Sequence, residues 1–215
     1  MIRVLIGVPT GERAREAKFY DYLDMLQLPM GTMKSSARGP SIAKNRNLLV
    51  RKAIDNGCSH IFFVDDDSTF QPDALIKLLC HNVDIVSGFQ LHRNFPHFPL
   101  IFSDRVDNNF KVDYIGQDET GLKETLATGL GACLIKCKVF SKLEEPWFRM
   151  GELEQDGLGE DLGFFSRVRD LGLKAHVDLD VPVGHITSVV VTPARKKDKW
   201  TILYDTNGSD SVEIG

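Results

Sequence analysis

The 215-residue chain has no basic excess, no apolar run of membrane length, no paired-cysteine motif and no internal repeat. Each absence removes a class of protein. Lys and Arg number 26 against 30 Asp and Glu, a net charge of −4, whereas a general nucleic-acid binder carries the opposite balance. No stretch approaches the roughly 18 apolar residues that a bilayer-spanning helix requires. The four cysteines, Cys58, Cys80, Cys133 and Cys137, form no CxxC pair and lie in apolar contexts. They read as buried free thiols of a reducing compartment rather than as a disulfide frame. The opening MIRVLIGVPTGE has neither a basic leader nor a small-residue cleavage site, so it reads as a first strand, and a cytoplasmic location is expected. With no low-complexity tract, the length suits one domain with a full core.

Apolar segments alternate with helical ones through the first ninety residues. RVLIGV (3–8) is a strand stopped by Pro9, Thr10 and Gly11. A helix is expected over about 15–27. SSARGPSIAKNRNLLVRKAIDNG then supplies a loop, an N-cap at Ser41 and a helix ended by Asn56-Gly57. HIFFV (60–64) is apolar on both faces, as a central parallel strand is. Pro72 is expected to open the next helix at its first position, and VDIVSGF (83–89) to be another strand. This order predicts a doubly wound α/β fold with a mainly parallel sheet flanked by helices. The second half reads as smaller and mixed or antiparallel. It has strands and turns over 100–136 with ATGLGACLI (127–135) a glycine-broken strand, a helix over 159–173 and a strand over 175–181. Residues 1–186 form one domain on this reading, with a nucleotide-binding half over about 1–90 and an acceptor half over about 91–186. Residues 187–215 read as an extended arm or partly disordered tail.

Three consecutive acids, Asp65, Asp66 and Asp67, leave the sheet where ligands of open α/β sheets bind. One Asp suits a turn; three together suit a hard divalent cation, Mg²⁺ or Mn²⁺, with its accompanying phosphate. Arg46 lies four residues after Ile42 and three before Leu49, so it shares the inward stripe of its helix. It reads either as a cation aimed at the acids or at a phosphate held there, or as a side chain that snorkels outward or pairs structurally with an aspartate. Asp161, with Glu160 beside it, heads the stripe formed by Phe164, Phe165 and Val168. It reads either as a helix cap or as a carboxylate with a role, and the helix N-terminus is expected to hold its pKa down. His185 follows a strand and a glycine and is a candidate ligand for a Mn²⁺-type ion.

Taken in order, VPT at a first strand end, RN in a helix, FFVDDD, VDIVSGF, ATGLGACLI, GED opening a helix and a late GH resemble the GT-A-fold glycosyltransferases. The match is nearest to the small single-domain, family-2-like type of viral and bacterial enzymes, and it covers about residues 2–186. The resemblance implies that Asp65 faces the nucleoside side and that Asp67 binds the metal, with Asp66 secondary and His185 completing the metal site. It also implies that Pro9, Thr10 and Glu12 line the base, that Arg46 contacts the donor, and that Asp161 of the ED pair is the catalytic base. The donor is then a UDP- or GDP-linked sugar and the acceptor a glycan or other hydroxyl compound. No QxxRW motif is present, and KKDKW (196–200) does not fit it, so inversion and retention both stay open.

Two other readings compete. VDDDST also fits the Asp-x-Asp-x-Thr of haloacid-dehalogenase-type phosphohydrolases, although there the motif ends the first strand of its domain and here a βαβ unit precedes it. A non-catalytic nucleotide-sugar or glycan-binding module is the third reading, since fold alone does not fix function.

Overall fold

A computed structural model describes residues 2–11, 17–94, 96–106, 109–150, 158–187, 190–196, 199–206 and 209–214, with Val106 and the segments from 190 onward described by their backbone alone. The chain begins with β1 (Val4–Thr10), α1 (Ala17–Met25), β2 (Met33–Arg38), α2 (Ile42–Asp55) and β3 (His60–Val64). There follow β4 (Ser68–Phe70), α3 (Ala74–Cys80) and β5 (Ile85–Gln90), then β6 (Ile101–Val106), β7 (Asn109–Val112), β8 (Leu122–Thr125) and β9 (Ala127–Thr128). The remainder is β10 (Ala132–Lys136), α4 (Cys137–Phe140), α5 (Glu160–Asp170), β11 (Ala175–His185), β12 (Val190–Lys196), β13 (Lys199–Thr206) and β14 (Ser209–Ile214).

The main sheet runs β2-β1-β3-β10-β5-β11-β4, with β8 paired to β11. β1, β2, β3, β5 and β11 point one way, because β10 pairs antiparallel with both β3 and β5 and so restores the direction between them. The fold is therefore α/β with a mostly parallel central sheet, as expected. The two expected halves share this one sheet, since β10 and β11 of the second half sit between and beside strands of the first.

Period-2 side-chain alternation explains why these apolar runs are central strands. Leu5, Ile61, Phe63 and Ile135 face one core with α2, α4 and α5. Val4, Ile6, Val8, Phe62, Val64 and Leu134 face the other, with Phe19 and Leu23 of α1 and Leu75 and Leu78 of α3. Burying one such Leu, Ile, Val or Phe side chain contributes about 1.5–3 kcal/mol, so two facing cores make the sheet the rigid part of the molecule.

Several expectations need correction. The segment around Ser35 and Ser36 is an edge strand, β2, not a loop; its half-buried, half-exposed alternation and its parallel pairing with β1 hold it. The third helix opens at Ala74 with Asp73 as N-cap, and Pro72 lies in the turn before it. The glycines over 129–131 split the run 127–135 into β9 and β10, which belong to different sheets. β11 runs on past the expected strand end at Val181, through Pro182 to His185, with a register break between Asp178 and Pro182 against β5. Gly88 is required at that break, because a Cβ there would lie 2.6 Å from Val183 Cγ2 and 2.7 Å from the Val181 carbonyl oxygen. The arm expected over 187–215 has strand backbone within 190–214: β12, β13 and β14 form an antiparallel sheet. Of the four cysteines only Cys58 and Cys133 are buried, and Cys80 is exposed. No helix among the described residues is long and apolar enough to cross a membrane.

Candidate active site

The carboxyl ends of the codirectional strands collect the residues singled out in the sequence. β1 ends at Thr10, β3 runs into Asp65, β5 ends at Gln90 and β11 ends at His185. Pro9 and Thr10 are buried, and the Thr10 carbonyl accepts from Asn45 Nδ2 at 2.9 Å and from the Gly39 N–H at 3.2 Å. That pins the N-terminus of α2 to the strand end. Glu12 lies outside the described residues.

Ser41 caps α2 by accepting from Lys44 N–H, and the helix then presents Arg46 inward. Arg46 is only 4% exposed. Its Nη2 donates to Asp65 Oδ1 at 3.0 Å, its Nε lies 3.6 Å from Glu160 Oε1, and its guanidinium sits 5.3 Å from the centre of the Phe63 ring. Burial works against the charge of Arg46, but Asp65, Glu160 and Asp161 outweigh it and hold its pKa above the usual value. Its Nη1 is buried with no hydrogen-bond partner among the described residues. Arg46 therefore ties Asp65, the acid after β3, to Glu160, which opens α5 95 residues further along the chain, instead of standing free at the surface.

Glu160 and Asp161 occupy the first turn of α5, whose N-cap is Gly159 with no side-chain cap. The capping reading of Asp161 is thus replaced by a first-turn position, where its Oδ1 accepts from Leu162 N–H at 2.7 Å. Burial pushes its carboxyl above the usual range, against the pull of that hydrogen bond and of Arg46. The expected lowering by the helix end is the weaker influence. Glu160 is raised in the same way, by burial first, with Arg46 opposing.

Asp66 and Asp67 form the turn between β3 and β4, closed by the Ser68 N–H donating to the Asp65 carbonyl at 3.0 Å. Antiparallel pairing of β4 with β11 sets Ser68 opposite His185, and the Ile186 N–H donates to the Asp67 carbonyl at 2.7 Å. Asp67 and His185 are thereby neighbours through their backbones. Burial, helped by Arg93, lowers the His185 pKa and keeps the imidazole neutral, the form that ligates metals. Two carboxylates and a neutral imidazole are a donor set suited to Mn²⁺ or Mg²⁺. The Asp67 carboxylate, however, is ion-paired with Arg93, and among the described residues no three His, Cys, Asp or Glu side chains converge on one point.

Four further parts escaped the sequence reading. Asn45 and Asn47, on either side of Arg46, are both buried. Asn47 is bonded to Phe148, and a polar Asn-Arg-Asn run inside an otherwise amphipathic helix was the available signal. Gln90, 1% exposed, accepts from Gly131 N–H at 3.2 Å, and the Gly131 carbonyl in turn accepts from Asp65 N–H at 3.0 Å. A Cβ on Gly131 would sit 2.6 Å from Gln90 Oε1 and 3.3 Å from Asp65 Oδ2, so the glycine lets the backbone pass under the acid. Arg93 had no signal in the loop sequence LHRNF. Finally, a pocket of about 350 Å³ opens beside Asp161 and Leu162, lined also by Phe98, Phe102, Phe110 and Thr128.

No family model matches the sequence, and no curated protein matches it. Among solved structures, the fold is similar to that of A197 from STIV, with a TM-score of 0.60 and 15% identity over 100% of this chain and 95% of that one. At that identity the likeness concerns the fold alone.

Proposed function

We propose that the protein is a metal-dependent GT-A-type glycosyltransferase that moves a sugar from a UDP- or GDP-linked donor to an acceptor hydroxyl, with inversion. The observation that carries this reading is the single buried Arg46 held between Asp65 and Glu160, with Asp161 adjacent in the same charge cluster. An acid on the diphosphate side and an acid on the acceptor side are thereby fixed at one edge of a rigid sheet, as an in-line displacement requires.

On this reading Asp65, Asp67 and His185 would hold Mn²⁺ or Mg²⁺, once Arg93 releases Asp67, and the ion would offset diphosphate charge. Pro9 and Thr10 border the base. Asp161 accepts the acceptor's proton. The acceptor oxygen forms a bond to the anomeric carbon, and the bond from that carbon to the phosphate oxygen breaks, with the electron pair leaving on the nucleoside diphosphate. The raised pKa of Asp161 makes it a stronger base than an exposed aspartate, while Arg46 keeps the ionised form accessible.

The test is to incubate the full chain with UDP- and GDP-sugars, Mn²⁺ and a panel of hydroxyl acceptors. Nucleoside diphosphate released with a glycosylated product is the expected result. Mg²⁺-dependent hydrolysis of aryl phosphates without transfer would instead establish the phosphohydrolase, and tight donor binding without turnover the non-catalytic module.

A further inference from the structure

The pocket beside Asp161 has an unusual wall for a site that is to receive a hydroxyl compound. Phe98, Leu100, Phe102, Phe110 and Leu162 supply most of its surface, and Phe102 meets Phe110 edge to face with ring centres 5.7 Å apart. On one side His92 stacks on Phe98 at 4.6 Å, nearly parallel at 7°. Polar side chains are the minority: His92, Asn109, Asp161 and Thr128 of β9. Thr128 is 1% exposed, and its hydroxyl is buried with no hydrogen-bond partner among the described residues. A hydroxyl left unpaired in this way costs about 1–3 kcal/mol, a cost that a ligand hydroxyl reaching it would remove.

A pyranose acceptor carries hydroxyls around its whole rim, and each one buried against phenylalanine without a partner is penalised. A flat aryl ring with one hydroxyl has the opposite needs. Its face packs on aromatic side chains, its edge meets apolar ones, and its single polar group requires one acceptor and one donor. We propose that the acceptor is an aryl alcohol of the phenol type, its ring seated among Phe98, Phe102 and Phe110 and its hydroxyl directed to Asp161 and Thr128. This rests on the glycosyl-transfer reading: the phenolic O–H gives its proton to Asp161, its oxygen bonds to the anomeric carbon, and the diphosphate leaves with the electron pair. A phenol, with a pKa near 10, also gives up that proton to a carboxylate more readily than a sugar hydroxyl does.

Binding of 4-methylphenol to the full chain, followed by ligand-observed NMR without donor, tests the pocket independently of transfer. The expected result is saturable binding of 4-methylphenol and none of methyl glucopyranoside at equal concentration. Thr128→Val keeps shape and should weaken the phenol about tenfold, the upper worth of one hydrogen bond. Val112→Trp, at a half-buried position of the lining, should block the phenol by filling the space, with the far-ultraviolet spectrum showing that the fold is kept. Preferential binding of the pyranoside, no binding of either ring, or phenol binding indifferent to both substitutions would overturn the proposal. Transfer to sugar acceptors without phenol binding would overturn it while leaving glycosyl transfer intact. Phenol binding with the two losses, but no donor turnover, would keep the pocket and remove the transferase.

Discussion

Asn47 and Phe148 hold each other by two hydrogen bonds across 101 residues of chain: the Asn47 side-chain amide donates to the Phe148 carbonyl at 2.8 Å, and the Phe148 N–H donates to Asn47 Oδ1 at 3.0 Å. The pair fastens α2, which carries Arg46, to the irregular segment that precedes α5. Both partners are buried. Asn47→Ala leaves a buried N–H and a buried carbonyl unpaired and should cost about 2–4 kcal/mol, read from the urea midpoint at unchanged slope. A loss under half a kcal/mol would show that water replaces the amide.

Arg46, itself buried, sits among three partly buried acids, Asp65, Glu160 and Asp161. Arg46→Ala should cost about 3–5 kcal/mol at neutral pH, since the penalty comes from leaving buried carboxylates uncompensated. That loss should shrink as the pH falls, because Glu160 and Asp161, whose pKa values burial raises, become protonated and no longer need the cation. Denaturation curves of both proteins at several acidic pH values give the comparison, and a pH-independent difference would contradict it.

Asp161 has its pKa raised in the folded protein, chiefly by burial. The protonated form is therefore favoured by folding, so its contribution to stability is complete below the unfolded pKa of about 3.9 and is lost as pH rises through the folded value. Transfer should show the reverse dependence, rising with pH through that same folded value as the base ionises. Asp161→Asn should reduce transfer by about 10²–10⁴-fold, keep donor binding, and lack the loss of stability that wild type shows over this pH range. Near-normal transfer by the variant would remove Asp161 from the chemistry.

Asp67 is paired with Arg93, whose side chain is about half exposed at 49%. A divalent ion and this guanidinium compete for one carboxylate. Arg93→Ala should therefore tighten Mn²⁺ binding, by up to about fivefold for an ion pair of this exposure, as measured by the loss of the free Mn²⁺ resonance signal. In wild type a nucleoside diphosphate at about a hundred times its Kd should add roughly 2.7 kcal/mol of stability when Mn²⁺ is present. The same gain in excess chelator would mean that no ion bridges acid and phosphate.

The central strands were legible because buried parallel strands are apolar on both faces. Arg46 was legible as a cation on an apolar helix stripe, and the fold decides that it turns inward to Asp65 rather than snorkelling to water. β2 was not legible: MKSSAR contains no apolar run, and its place depends on an open edge of β1 that only the fold supplies. Asp161 was read in the right place with the wrong charge preference, since the helix end is visible in sequence whereas the protein packed around the carboxylate is not. Arg93 shows the remaining limit. Nothing local distinguishes it, and its partner lies across the sheet edge in a different turn. The strands from residue 190 had a readable signal in the β-branched and aromatic VVVTP and WTILY runs, which the charged ARKKDK between them obscured.

β10 lies between β3 and β5, antiparallel to both. A ribosome has released the first five strands long before the one that joins them. Until residue 136 emerges, β3 and β5 each keep an open row of backbone donors and acceptors beside bare Val, Ile and Phe, the arrangement most prone to pairing with other chains. A fragment ending at Gln90 therefore keeps one three-stranded piece, β2-β1-β3, leaves β4 and β5 unpaired, and should aggregate when expressed alone. β10 and β11 both pair with strands from the first ninety residues, so neither half of the chain can be exchanged as a cassette.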